Sequence, residues 1–244
     1  MLTSVRSLMA ATILGSALLA APAFAQDEES DITITGSAAL VSEYRFRGVD
    51  LSGGDIAAQA GITAKHSSGF YVGTWGSSLD ENSVGYGHTE LDLFGGWSGE
   101  ISSGVTADVG VIYYAYPNAP AGDFDYVELY GKTGFGIGPA TLTLGVAYAP
   151  EQDSLGGTDN LYLSSDLGVG IPDTPLSLTA HAGYTDGFLT YTGNGKAWDW
   201  SLGASAALGG GLSVGASYIG AEGTGTPAYD FVDDAFVVTV SASF

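Results

Sequence analysis

The chain contains no cysteine. That excludes disulfides, thiolate nucleophiles and cysteine-type zinc sites together. Basic residues are nearly as scarce: six Lys and Arg stand against 27 Asp and Glu, a formal net charge of −21 at pH 7. Nucleic acid requires a basic footprint against its phosphates, so no nucleic-acid partner is expected. Charged residues make up 14% of the chain, against roughly 25% in soluble proteins. Histidine occurs three times, with no H-E-x-x-H and no G-x-S-x-G motif, so neither an enzyme nor a metal site is expected. No glycine-rich phosphate loop joins a strand to a helix, and no cofactor is expected. Beyond residue 25, no stretch approaches the ~18 apolar residues that a membrane-crossing helix requires.

Glycine is abundant instead, at 38 of 244 residues, more than twice the usual ~7%. With 14 Tyr, 10 Phe and 4 Trp, the chain is too aromatic for disorder, and its glycines lack the third-residue period of collagen. At the N-terminus, Arg6 is the only charge before position 27, an apolar stretch covers 8–19, and Ala23-Phe24-Ala25 follows. A positive region, an apolar region and an A-x-A site predict a signal peptide over 1–25, cut before Gln26. An acidic tail over 26–31 and one domain over 32–244 complete the expected organisation.

Alternation dominates that domain. Leu142, Leu144, Val146 and Tyr148 share one parity, while Thr141, Thr143, Gly145 and Ala147 share the other. Trp198, Trp200, Leu202 and Ala204 likewise oppose Asp199, Ser201, Gly203 and Ser205. Period two places each set on one face of a strand. Twelve strands are predicted, near 33–47, 56–66, 70–79, 87–98, 104–116, 124–137, 140–149, 159–169, 175–186, 197–208, 212–221 and 233–244. Short connections alternate with longer ones at 48–55, 80–86, 117–123, 150–158, 187–196 and 222–232. The expected fold is therefore all-β: a twelve-stranded antiparallel transmembrane β-barrel with short periplasmic turns and longer extracellular loops.

Tyr44, Tyr113, Tyr148, Tyr184 and Tyr218 recur at multiples of about 35 residues, the length of one hairpin. They are expected to form an aromatic girdle at one membrane interface. Phe70, Phe135 and Phe244 suggest a thinner second one. On the third strand, Phe70, Val72 and Thr74 compete with Tyr71, Trp75 and Leu79 for the lipid face. The last strand alternates Phe236, Val238, Val240, Ala242 and Phe244 and stops on the aromatic. It resembles the C-terminal assembly signal of outer-membrane proteins, with Phe244 as its key residue and the barrel-assembly machinery as the implied partner.

The segment at 36–49, Gly-Ser-Ala-Ala-Leu-Val-Ser-Glu-Tyr-Arg-Phe-Arg-Gly-Val, and the run Ser68-Gly69-Phe70-Tyr71-Val72-Gly73-Thr74-Trp75 resemble the TorF-type outer-membrane porin family. Gly95-Gly96-Trp97 and Tyr113-Tyr114-Ala115-Tyr116-Pro117 fit the same pattern. The resemblance is specific mainly over 36–116. It implies a porin-like protein of the Gram-negative outer membrane, with no catalytic residues and no settled substrate.

If the Leu, Val and Tyr parities face lipid, the lumen receives Glu43, Arg45, Arg47, Lys65, Glu90, Asp92, Asp108, Glu128, Lys132, Asp166, His181 and Asp199. A midplane Arg or Lys facing lipid would cost ~2–4 kcal/mol, which favours this assignment. Arg45 and Arg47 are candidate constriction residues, because a planar fork grips carboxylates. Pairing with Glu90 or Asp92 is the alternative. The loops carry Asp50, Asp55, Asp80, Glu81, Asp123, Glu151, Asp153, Glu222 and Asp230 against Lys196, a mouth that concentrates cations. The expected function is passive diffusion of small polar solutes or ions with weak cation selectivity. A closed structural or adhesive barrel, whose acidic loops bind an external partner, is the alternative. A barrel hydrolase comes third.

Overall fold

The computed structural model describes residues 31–190, 192–223 and 232–244. The expected signal peptide, positions 26–30 of the tail and Asp230 lie outside the described residues. Among those described, twelve strands close into one antiparallel barrel: β1 (Ile32–Val41), β4 (Ala57–His66), β5 (Phe70–Ser78), β6 (Thr89–Ser102), β7 (Val105–Ala115), β8 (Tyr126–Ile137), β9 (Ala140–Gln152), β10 (Thr158–Gly170), β11 (Leu176–Gly187), β12 (Lys196–Gly209), β13 (Leu212–Gly223) and β14 (Ala235–Ser243). Each pairs with its sequence neighbour, and β1 closes the wall against β14. The remaining pair, β2 (Arg45–Phe46) and β3 (Val49–Asp50), forms a separate small hairpin.

Parity sets the two faces. On β12, Leu202 is 61% exposed on the outside while Asp199 is 5% exposed inside. Leu40, Ile62, Val72, Leu93, Val111, Leu129, Leu163 and Val240 continue the apolar outer band. Soluble monomers rarely tolerate a contiguous apolar surface of this extent. On β5, Phe70 and Val72 point outward while Trp75 is buried inside and Tyr71 reaches over β6 to Asp108 on the inner face of β7, which resolves the facing of that strand. Tyr113, Tyr148 and Tyr218 are exposed on the outer face. Each donates its hydroxyl to an aspartate: Asp125 at 2.6 Å, Asp159 at 3.0 Å and Asp234 at 2.9 Å. Tyr184 packs on Trp198, with ring centroids 4.8 Å apart.

Tyr44 departs from the expected girdle. It is buried inside the barrel, edge-on to Trp75 at 5.6 Å. The reason lies in strand length: β1 leaves the wall at Val41, not at residue 47 as the alternation suggests. The chain then turns into the lumen, and Asp50, expected on an exposed loop, is buried with it.

The closing seam depends on a missing side chain. Gly36 and Phe244 exchange backbone hydrogen bonds of 2.9 and 3.0 Å. The Phe244 ring lies where a Cβ on residue 36 would stand. Gly36→Val is therefore expected to displace the ring and destabilise the barrel by ~1–3 kcal/mol, the usual cost of overpacking. Urea midpoints of refolded protein in liposomes would check this, and an unchanged midpoint would refute it.

Candidate functional site

The site is the interior, and its principal feature is the β2–β3 hairpin, which the alternation of residues 42–50 conceals. Its two turn residues, Arg47 and Gly48, have φ of 50° and 80°, as a tight type I′ connection demands. Glycine suits that backbone, whereas arginine occupies it at a cost. The hairpin is held by bonds along its base: Leu51 N donates to the Tyr44 carbonyl at 2.8 Å, and Tyr44 N to Ser52 Oγ at 2.8 Å. Asp80 N donates to the Leu51 carbonyl at 3.0 Å.

The tip spans the bore. Arg47 directs one terminal nitrogen at both oxygens of Glu128 on β8, each at 2.8 Å. Gly48 lies against Asp199 on β12 and Ala221 on β13, where a side chain would collide with both. Arg47 is 8% exposed and Glu128 1%. Burial acts to lower the Arg47 pKa, but Glu128 outweighs it, so the pKa lies above the ordinary guanidinium value. Arg45 pairs with Glu43 and donates to the carbonyls of Gly48 at 3.0 Å and Asp233 at 2.7 Å. Both arginines thus belong to an inward-folded hairpin and not to a strand of the barrel wall. Their carboxylate partners are Glu43 and Glu128, not the Glu90 or Asp92 of the alternative reading.

Aromatic side chains complete this plug. The Arg47 guanidinium lies 4.1 Å from the Tyr162 ring centroid and 4.7 Å from that of Phe46. Phe46 meets Tyr114 edge-on at 5.9 Å, and Tyr114 stacks on Tyr126 at 4.4 Å. Tyr114 also donates to Glu128 at 3.1 Å. Glu90 and Asp92 on β6 are each 1% exposed. Tyr116 donates weakly to one Glu90 oxygen at 3.5 Å. Glu90 Oε2 and Asp92 Oδ1 accept no hydrogen bond from the described residues.

Below the plug, toward the short turns, the lumenal wall carries two further clusters. Asp166 and His181 face each other across β10 and β11, with Oδ1 and Nδ1 2.6 Å apart. His181 Nε2 lies 2.9 Å from Asp199 and 2.9 Å from the Tyr162 hydroxyl, which donates to Asp199 at 3.1 Å. Both imidazole nitrogens therefore face carboxylates, and no serine is among their hydrogen-bond partners. On the other side, Tyr71 donates to Asp108 at 2.6 Å and is in contact with the Tyr130 hydroxyl. Lys132 stands opposite Asp108 in the β7–β8 register. Lys65 reaches Ser98 at 2.6 Å. Here Ser98, Asp108, Asp166, His181 and Ser201 are only half-buried, so solvent enters this part of the bore.

Sequence parity named charged residues of the interior, but Glu43, Arg45 and Arg47 belong to the loop, and Phe46, Tyr114, Tyr126 and Tyr162 were not named. Parity could have placed the three tyrosines, since they share the face of Glu128 and Asp166.

Residues 25–244 match a family model described as a bacterial protein of unknown function (Gcw_chp). The chain belongs to the Gcw_chp family. No curated protein matches it. Among solved structures, this Gcw_chp barrel is similar to the NanC porin, with TM-score 0.60 and 8% identity over 87% of this chain and 99% of that one. A structure of the KdgM porin in complex with disordered oligogalacturonate gives TM-score 0.59 and 7% identity over 87% and 99% of the two chains. OccAB2 of Acinetobacter baumannii gives 0.50 and 10%, over 90% of this chain and 66% of that one. At such identities the likeness shows the fold: the Gcw_chp chain is a closed twelve-stranded barrel resembling outer-membrane porins.

Proposed function

We propose that this protein is a passive diffusion channel of the Gram-negative outer membrane for small hydrophilic solutes or ions, with weak cation selectivity. The observation that carries this reading is the half-buried polar wall below the hairpin, where solvent enters the bore beside Asp108, Asp166 and His181. The apolar outer band would face lipid, with the exposed tyrosines at one interface, the short turns in the periplasm and the long loops outside. Export by a signal peptide over 1–25 and insertion by the barrel-assembly machinery belong to the same reading. The motifs over 36–116 support a TorF-type porin. The test is reconstitution in planar bilayers, where discrete conductance steps are expected.

A second reading has a specific observation in its favour. The ion-paired hairpin across the bore suits a closed structural barrel whose acidic loops bind an outside partner. A folded but electrically silent protein would establish that reading instead.

Charge indicates which solutes would pass. Arg45 and Arg47 are neutralised by Glu43 and Glu128, which leaves Glu90, Asp92, Asp108, Asp166 and Asp199 against Lys65, Lys132 and His181. With the loop carboxylates at the mouth added, the summed field is negative. The KdgM structure contains oligogalacturonate, a polyanion that this interior would repel. We expect a weakly cation-selective reversal potential under a potassium chloride gradient. The preference should shrink as salt rises, because the Debye length falls from about 8 Å at 0.15 M to about 3 Å at 1 M. Replacing both arginines by glutamine is expected to strengthen it. An anion-selective wild type whose preference vanishes in the double variant would show that the arginines set the filter.

A further inference from the structure

The chemistry around the hairpin tip is that of a receptor for an organic cation. Tyr162 and Phe46 present ring faces to the Arg47 guanidinium at 4.1 and 4.7 Å, and Glu128 presents both carboxylate oxygens to it. Aromatic faces with a buried carboxylate are the arrangement that recognises delocalised or alkylated cations. Phe46 and Arg47 come from the loop, whereas Glu128, Tyr162, Tyr114 and Tyr126 come from the wall. The wall half would remain in place if the loop withdrew.

The loop fills this cage imperfectly. Only one terminal nitrogen of Arg47 is matched to an acceptor, while Nε and Nη1 have none. The buried Glu90 Oε2 and Asp92 Oδ1, on the same interior, lack donors. Unpaired buried donors and acceptors each carry an uncompensated desolvation cost. The tip also holds a non-glycine residue at φ 50°, so its seat is strained on the backbone side as well. A small solute bearing the same group is free of that backbone constraint and can orient its remaining N–H groups toward carboxylates.

We propose that the wall residues Glu128 and Tyr162 form a binding site for small guanidinium- or amine-bearing solutes, and that Arg47 occupies it as an internal stand-in for that ligand. The inference deepens the channel reading by naming its solute class. It makes the hairpin a competitor of the solute rather than a permanent stopper. The acidic loops would raise the local concentration of such cations at the mouth.

The test separates cage binding from conduction by using folded protein in detergent micelles, where no open path is needed. The thermal midpoint of the strand circular-dichroism signal is measured for wild type and Arg47→Ala, with millimolar methylguanidinium chloride, sodium chloride or sodium acetate. Arg47→Ala should melt lower than wild type, and methylguanidinium should raise its midpoint saturably, whereas neither sodium salt should do so. Wild type, in which the solute must first displace Arg47, should shift less and only at higher methylguanidinium concentration. Adding Glu128→Gln or Tyr162→Leu to Arg47→Ala should weaken methylguanidinium binding about tenfold or more, the loss of one charge-assisted bond or cation–π contact. Should Arg47→Ala fail to fold, replacement of residues 45–50 by Gly-Gly removes the same stand-in, and methylguanidinium binding is then read by calorimetry. A midpoint that responds equally to all three salts, or a methylguanidinium effect that survives Glu128→Gln, would overturn the proposal. Conductance of the wild-type barrel bears on the channel reading alone.

Discussion

Deletion of Phe244 is expected to remove most of the folded barrel from outer-membrane fractions while leaving signal cleavage intact. The residue has two roles at the seam. Its backbone exchanges hydrogen bonds with Gly36 at 2.9 and 3.0 Å, which extends the β1–β14 ladder to the end of the chain. Its ring covers Gly36 on the outside while remaining 64% exposed toward the apolar surround. Two backbone bonds contribute only ~1–3 kcal/mol between them, too little to unfold a closed barrel with twelve complete strand pairings. A large loss would therefore point to assembly, in line with the alternating strand that ends on an aromatic. Phe244→Ala separates the two effects, because it keeps the ladder and removes the ring. Equal amounts of heat-modifiable wild-type and deleted protein in the outer membrane would count decisively against an assembly role.

The barrel was legible in the sequence because a wall with an apolar outer face and a polar inner face imposes period two on every strand. Eleven predicted strands match the observed ones within a few residues, and charged wall residues such as Glu90, Asp108, Glu128 and Asp199 lie on the expected face. The hairpin was not legible, for a related reason. Glu43, Arg45 and Arg47 alternate with Tyr44 and Phe46, so the periodicity continues smoothly past Val41, where the wall ends. A β-hairpin inside the lumen has the same period as a strand in the barrel. The one local signal was Phe46-Arg47-Gly48-Val49, a two-residue turn with glycine second. Arginine in place of the usual asparagine or aspartate disguised it. Tyr44 then fell into the register of about 35 residues kept by Tyr113, Tyr148, Tyr184 and Tyr218, although its ring points the other way. The contact partners of Arg47 could not be read at all, since Glu128 and Tyr162 lie 81 and 115 residues away.

Replacing residues 45–50 with Gly-Gly is expected to raise single-channel conductance several-fold. The graft is geometrically mild, because Leu51 N already bonds the Tyr44 carbonyl at 2.8 Å, so the two ends of the excised segment meet. No barrel strand loses a ladder bond, since the hairpin pairs only with itself. What leaves is the bridge across the bore, from Glu128 on β8 to Asp199 and Ala221 on the far wall. Removing one partner from a buried ion pair ordinarily costs ~3–5 kcal/mol. Here the space vacated would admit water, and hydration of Glu128 would offset much of that cost. The barrel should therefore stay folded and heat-modifiable while its narrowest part opens. Loss of two arginines against one aspartate, Asp50, also leaves Glu43 and Glu128 uncompensated, so the wider pore should be the more cation-selective one, as judged by reversal potential in the same bilayer. If the conductance of the excised variant equals that of wild type, the constriction lies elsewhere in the bore. A fall in conductance with retained folding would mean that the hairpin holds the passage open.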